Sequence, residues 1–90
     1  SLRKEYRKQF TALFLDIRSK CRSGELTEKV LDLRGLIGAL RMIEGGLEVY
    51  PALHMGITGK TPDPYEQSLV RDIISSRFSA KTDPGKLFNL

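Results

Sequence analysis

Between Leu2 and Arg22 apolar side chains return every three or four residues. Leu2, Tyr6, Phe10, Leu13, Phe14, Ile17 and Cys21 therefore share one face of a helix, and the other face is charged. Gly24 follows, and its tolerance of positive φ suits a helix end. The pattern predicts a first helix over 2–22. Residues 24–31 read as a connector, because Glu25-Leu26-Thr27-Glu28 is short and polar. Asp32 then stands where its carboxylate can accept the free N–H groups of a new helix. That second helix is expected over 33–44, with Leu33, Leu36, Ile37, Leu40 and Ile43 as its apolar stripe and Gly45-Gly46 as its stop. Gly35 and Gly38 lie inside it. Each costs roughly 1 kcal/mol relative to alanine, which suggests the close approach of a neighbour.

A third helix is expected over 50–58. Pro51 fits its first turn, Tyr50, Leu53 and Ile57 face the core, and Gly59 ends it. In the loop Thr61-Pro62-Asp63-Pro64, Asp63 can cap a fourth helix and Pro64 can open it. Glu66, three residues after Asp63, completes the pattern of a capping box. This helix is expected over 64–78, burying Leu69, Val70, Ile73, Ile74 and Phe78. The tail 79–90 contains Pro84-Gly85 and no period, so it is expected to be loosely ordered. No alternating strand pattern competes. The expected fold is all-α: a small four-helix assembly over 1–78, followed by the tail 79–90.

Length and composition agree with this. Ninety residues make one domain, and 40% apolar with 29% charged residues is globular rather than disordered. Cys21 is the sole cysteine, so no internal disulfide or cysteine zinc site can form, and a reducing, cytoplasmic compartment is expected. No apolar run has the length of a membrane span, and no segment reads as a signal peptide. The chain opens on Ser1 rather than Met and is expected to be a fragment of a longer protein. The net charge of +4 gathers at the two ends of the first helix, in Arg3, Lys4, Arg7 and Lys8, then Arg18, Lys20 and Arg22. A basic helix can bind nucleic acid, and it can equally be a solvated face. Aromatic platforms are not interleaved with these cations, and no helix reads as a recognition helix. Nucleic acid is therefore not expected as a partner, although a basic nucleic-acid-binding or protein-interaction module stands as the alternative reading.

Few residues offer chemistry. Gly59-Lys60-Thr61 matches the end of a phosphate-binding P-loop, but the first glycine of that motif would fall on His54, and prolines follow. A helix end and a loop are expected there instead. His54 stands alone without a metal-ligand partner, and Cys21 on an apolar face reads as packing. No nucleophile–base pair is apparent, so no catalytic residue is expected in this chain. Arg34 falls in the first turn after Asp32 and off the centre of the stripe. There it adds a planar, permanent cation to a helix start, with Arg41 two turns later on the same side. An ordinary surface arginine would have the same spacing.

Arg22-Ser23-Gly24-Glu25-Leu26, Leu31-Asp32-Leu33-Arg34-Gly35-Leu36, Ala39-Leu40-Arg41 and Gly45-Gly46-Leu47 carry a resemblance, as do Ala52-Leu53-His54-Met55-Gly56-Ile57-Thr58-Gly59-Lys60, Pro64-Tyr65-Glu66 and Leu69-Val70-Arg71-Asp72-Ile73-Ile74. Over about residues 5–78 the chain resembles the C-terminal helical lid of MoxR-type AAA+ ATPases of the NorQ/CbbQ branch. The resemblance implies that the nucleotide and Mg2+ are held mainly by a preceding α/β core domain. It implies that the lid lends a phosphate-sensing arginine, here Arg34, with Arg41 as a secondary contact. No ATP or Mg2+ would be bound by the lid alone. The family often places Ser or Thr, then one residue, before that arginine, where this chain has Asp32-Leu33. Intact relatives form rings, usually hexamers. In a chaperone-like way they use ATP hydrolysis to remodel or activate an enzyme, together with a von Willebrand factor A domain protein.

Overall fold

The apolar periods become four helices. The computed structural model describes residues 2–79 and 82–88. Within it α1 spans Lys4–Arg22, α2 Leu33–Glu44, α3 Val49–Gly56 and α4 Pro64–Arg77. Short 3-10 turns at Glu28–Val30, Thr58–Lys60 and Pro84–Lys86 link or follow them. Together they form a compact all-α four-helix bundle of 39 × 22 × 21 Å. The β-pairing among the described residues is a single bridge between Leu2 and Phe88.

Local chemistry sets the helix ends. After α1, Gly24 takes φ +83°, and after α2, Gly46 takes φ +106°. In each case two backbone bonds close the end: Gly24 N–H to Cys21 and Glu25 N–H to Lys20, then Gly46 N–H to Ile43 and Leu47 N–H to Met42. Glycine at this position avoids the Cβ penalty of left-handed backbone. Asp32 and Asp63 cap α2 and α4 as expected, accepting from the N–H groups of Arg34 and Tyr65.

Phe10, Leu13 and Ile17 on α1 are buried in one core with Val70, Ile73 and Ile74 on α4, Leu36, Ala39 and Ile43 on α2, and Ala52 and Leu53 on α3. Each large side chain so buried contributes about 1.5–3 kcal/mol relative to exposure.

Four expectations need correction. First, α2 turns a different edge inward. Gly35, Leu36, Ala39 and Ile43 are buried, while Leu33 and Ile37 remain 57% and 43% exposed. Backbone proximity is the reason. A methyl on Gly35 would collide with the Gly56 carbonyl oxygen, and one on Gly56 would collide with the Gly35 carbonyl oxygen and crowd Ala39. Gly35 thus has the neighbour the sequence suggests, whereas Gly38 has none within 4 Å. Second, α3 ends at Gly56 rather than near Gly59, and the chain tightens into the 3-10 turn Thr58–Lys60. Third, Glu66 does not complete a capping box. Its Oε1 accepts from the Thr27 N–H at 2.7 Å, and the Asp63 N–H goes instead to Thr61 Oγ1 at 3.2 Å. A buried carboxylate on α4 thereby holds the connector, whose Leu26 and Val30 are also buried. Fourth, the tail packs over its described part. Leu87 and Phe88 are buried, and Leu87 accepts a hydrogen bond from the Arg3 N–H. Ala80, Lys81, Asn89 and Leu90 of the expected loose tail lie outside the described residues.

Candidate functional site

The start of α2 gathers the charged residues singled out by the sequence. Asp32 holds an extended backbone (φ −116°, ψ 105°), and its Oδ1 accepts from the Arg34 N–H at 3.0 Å. Its other oxygen, Oδ2, lies 3.3 Å from Lys60 Nζ. Lys60 reaches it from the turn after α3, and its stem passes Gly35 so closely that a Cβ there would meet Lys60 Cε at 3.2 Å. The Gly35–Gly56 contact therefore brings the turn carrying Lys60 onto the first turn of α2.

Desolvation pushes the Asp32 carboxyl up, but bonds from Lys60 and from the N–H groups of Arg34 and Gly35 outweigh it. The net effect holds Asp32 below the usual carboxylate range. Its charge is thus engaged on both sides, by a helix start and by an ammonium. The Arg34 side chain is exposed and makes no ion pair among the described residues. Arg41, also exposed, follows about 10 Å along the same side of α2, at 1.5 Å per residue. Arg34 thus presents a planar fork suited to a bidentate carboxylate or phosphate, beside a lysine already committed to Asp32. The Arg34 N–H and the Lys60 ammonium both reach Asp32 at this helix start, and Arg41 lies farther along α2.

The remaining chemical candidates make contacts within the fold. His54 is half-buried, and its Nδ1 lies 2.8 Å from Thr58 Oγ1. Burial, and then the positive charge of Arg71, hold its pKa below the ordinary histidine value. Cys21 contacts the Thr27 carbonyl at 3.5 Å. Burial first, then the charges of Glu28 and Glu66, push its thiol up, away from the reactive thiolate. In the Gly59-Lys60-Thr61 segment, Thr61 is buried and accepts from the Asp63 N–H, so its hydroxyl serves a turn. Among the described residues no group of three or more His, Cys, Asp or Glu side chains could hold a metal ion. No described helix is long and apolar enough to cross a membrane.

Sequence reasoning missed the Asp32–Lys60 pair. Twenty-eight positions separate the two, and the packing of α3 and its following turn on α2, closest at Gly35 and Gly56, brings them together. Gly56 was the available signal, since it precedes the expected helix end and matches the glycine inside α2. No protein-family model matches the chain, and no curated protein or solved structure is significantly similar to it.

Proposed function

We propose that the chain is the helical lid of a ring-forming AAA+ ATPase, in which Arg34 senses the nucleotide phosphates. One observation carries this reading. Arg34 stands exposed in the first turn of α2, next to Gly35, which is locked against the α3 backbone. An arginine so placed has an exposed fork on a closely packed base. Any rotation of the α2–α3 pair would carry it toward or away from a bound anion.

ATP and Mg2+ would be held mainly by a preceding core domain. Arg34 fits the phosphate part of that ligand: its guanidinium is permanently charged and has no carboxylate partner among the described residues. Arg41 would serve as a secondary contact. The other helices would form the hinge and meet neighbouring subunits of a ring, expected to be a hexamer. A von Willebrand factor A domain protein and a client enzyme would be the further partners.

The test is made in the intact ATPase. Arg34→Ala should lower ATP turnover at least about tenfold, because it removes a preorganised cation from a site of moving charge. Arg34→Lys should recover part of that loss, restoring charge but not the fork. Arg41→Ala should matter less. The lid should remain folded throughout, since both side chains are exposed. Normal turnover with normal nucleotide affinity in the Arg34→Ala ring would overturn the assignment.

A further inference from the structure

The outer face of α1 has a charge pattern that the ATPase reading does not use. Lys4, Arg7 and Lys8 occupy its first two turns, and Arg18 and Arg22 its last two. None of these five cations makes an ion pair among the described residues. The acids that could have neutralised them are occupied elsewhere: Asp16 by Arg77 and Glu25 by Lys20. Glu5, which makes no ion pair among the described residues, stands about 80° round the helix from Leu15, as far on one side as Arg7 on the other. Between the two basic ends the surface becomes apolar. Lys4, Arg7, Lys8, Thr11, Ala12 and Leu15 form an open, shallow surface on this one helix face. It continues from Leu15 past Arg18 and Ser19 to Arg22. Leu15 is 49% exposed.

We infer that this face docks an acidic amphipathic helix of a protein partner, with acidic residues at both ends and an apolar side chain seated on Leu15. The spacing favours this occupant over a nucleic acid. Lys8 and Arg18 are ten residues apart, a gap of about 15 Å along the helix. Phosphates recur without interruption along a strand, so several would cross that gap with no cation beneath them and with Leu15 buried against charge. An anionic bilayer is disfavoured for a different reason. An interfacial helix needs an apolar face, and here that face is spent on the core, leaving Leu15 as the one large apolar side chain of the stripe. A helix with an apolar anchor in its central turn and acids above and below it matches both halves of the pattern.

The probe is a fluorescein-labelled designed helix of about 20 residues. It has glutamate in its first and last turns and leucine in its central turn, and is titrated by anisotropy against the 90-residue chain in about 150 mM salt. Binding is expected. It should weaken at least about fivefold with Leu15→Ser, and at least about tenfold when Arg18→Glu and Arg22→Glu are combined. A second peptide with serine in place of leucine, tested on the unaltered protein, should lose about as much as Leu15→Ser does, without any change to the fold. A mixed-sequence DNA duplex and phosphatidylserine vesicles should each bind more weakly than the leucine peptide. The proposal is overturned if the leucine peptide fails to bind up to about 1 mM. It is equally overturned if the serine peptide binds as well, or if the duplex or the vesicles bind more tightly.

Discussion

The two helix pairs of this bundle are held by opposite means. Between α1 and α4 the contact is made of volume. Phe10 and Phe78 pack as tilted rings with centroids 4.6 Å apart, buried Leu13 and Ile17 join Val70 and Ile74 in the core, and Arg77 grips Asp16 at the rim. Between α2 and α3 the contact is made by the absence of volume. Gly35 and Gly56 lie backbone to backbone, with Ala39 beside them. A side-chain contact can yield, because rotamers move. A contact between two carbonyl backbones has nothing soft in it. The stiff pair is also the one that carries Arg34 and Lys60, so the position of the candidate site is fixed by glycines rather than by its own charges.

The contrast predicts that adding and removing atoms act oppositely on the two pairs. Phe10→Ala should be the most damaging change considered, at about 3–5 kcal/mol, because it removes a buried ring and leaves a cavity beside Phe78. Gly35→Ala adds a single methyl yet should cost about 1–3 kcal/mol, since the obstacle is the Gly56 carbonyl and not a movable side chain. Urea unfolding at constant m-value would measure both. A Gly35→Ala variant as stable as the parent would mean that the α2–α3 spacing is adjustable, and the account of the rigid base under Arg34 would fall with it.

The same division explains what could be read from the sequence. Helix existence and capping were legible because their causes are local. The period of α1, the carboxylates of Asp32 and Asp63, and the glycines at 24 and 46 each act within a turn or two. The rotation of α2 was not legible. Leu33 and Ile37 look like core residues when α2 is read alone, but a glycine twenty-one positions beyond Gly35 decides which edge faces in. Glu66 failed as a capping residue for a related reason: the distant Thr27 N–H took its carboxylate. Leu87 and Phe88 are an isolated apolar pair with no period to announce them, and only the assembled bundle offers them a place. Arg34, Asp32 and Lys60 could each be found as residues, but the Asp32–Lys60 pair could not, because it depends on how α3 and its following turn pack on α2.

Gly38 provides the control for Gly35, one turn away on the same helix. Nothing lies within 4 Å of where its Cβ would be, and its backbone is helical. Gly38→Ala should therefore stabilise the bundle by up to about 1 kcal/mol, through helix propensity and a less flexible unfolded chain. In a domain of this size that corresponds to a Tm higher by about 4 °C or somewhat more. A fall in Tm would show that Gly38, like Gly35, marks a close approach.

The rim of the α1–α4 pair should give the smallest effect, and pH should reveal it. Arg77 Nε and a terminal nitrogen bond the two Asp16 oxygens at 2.7 and 3.0 Å. That side-chain hydrogen bond lowers the Asp16 pKa. Partial burial opposes the shift, and the charge of Arg77 adds to it. The unfolded carboxyl titrates near 3.9, as a free aspartate does, so on acidification it takes up its proton before the folded one. The stabilisation is thus fully present above about pH 5 and is lost as pH falls through the lower folded value. Both side chains are about one-third or more exposed, and water screens such pairs. Arg77→Ala should therefore lower Tm at pH 7 by no more than about 2 °C. The gap between parent and variant should narrow as pH drops below about 4, and also in about 1 M salt at neutral pH. Thermal melts across pH at two salt concentrations would test both arms. A gap that stayed constant in acid and in salt would mean that Arg77 acts through the packing of its stem. The volume that holds α1 to α4 would then extend to the rim.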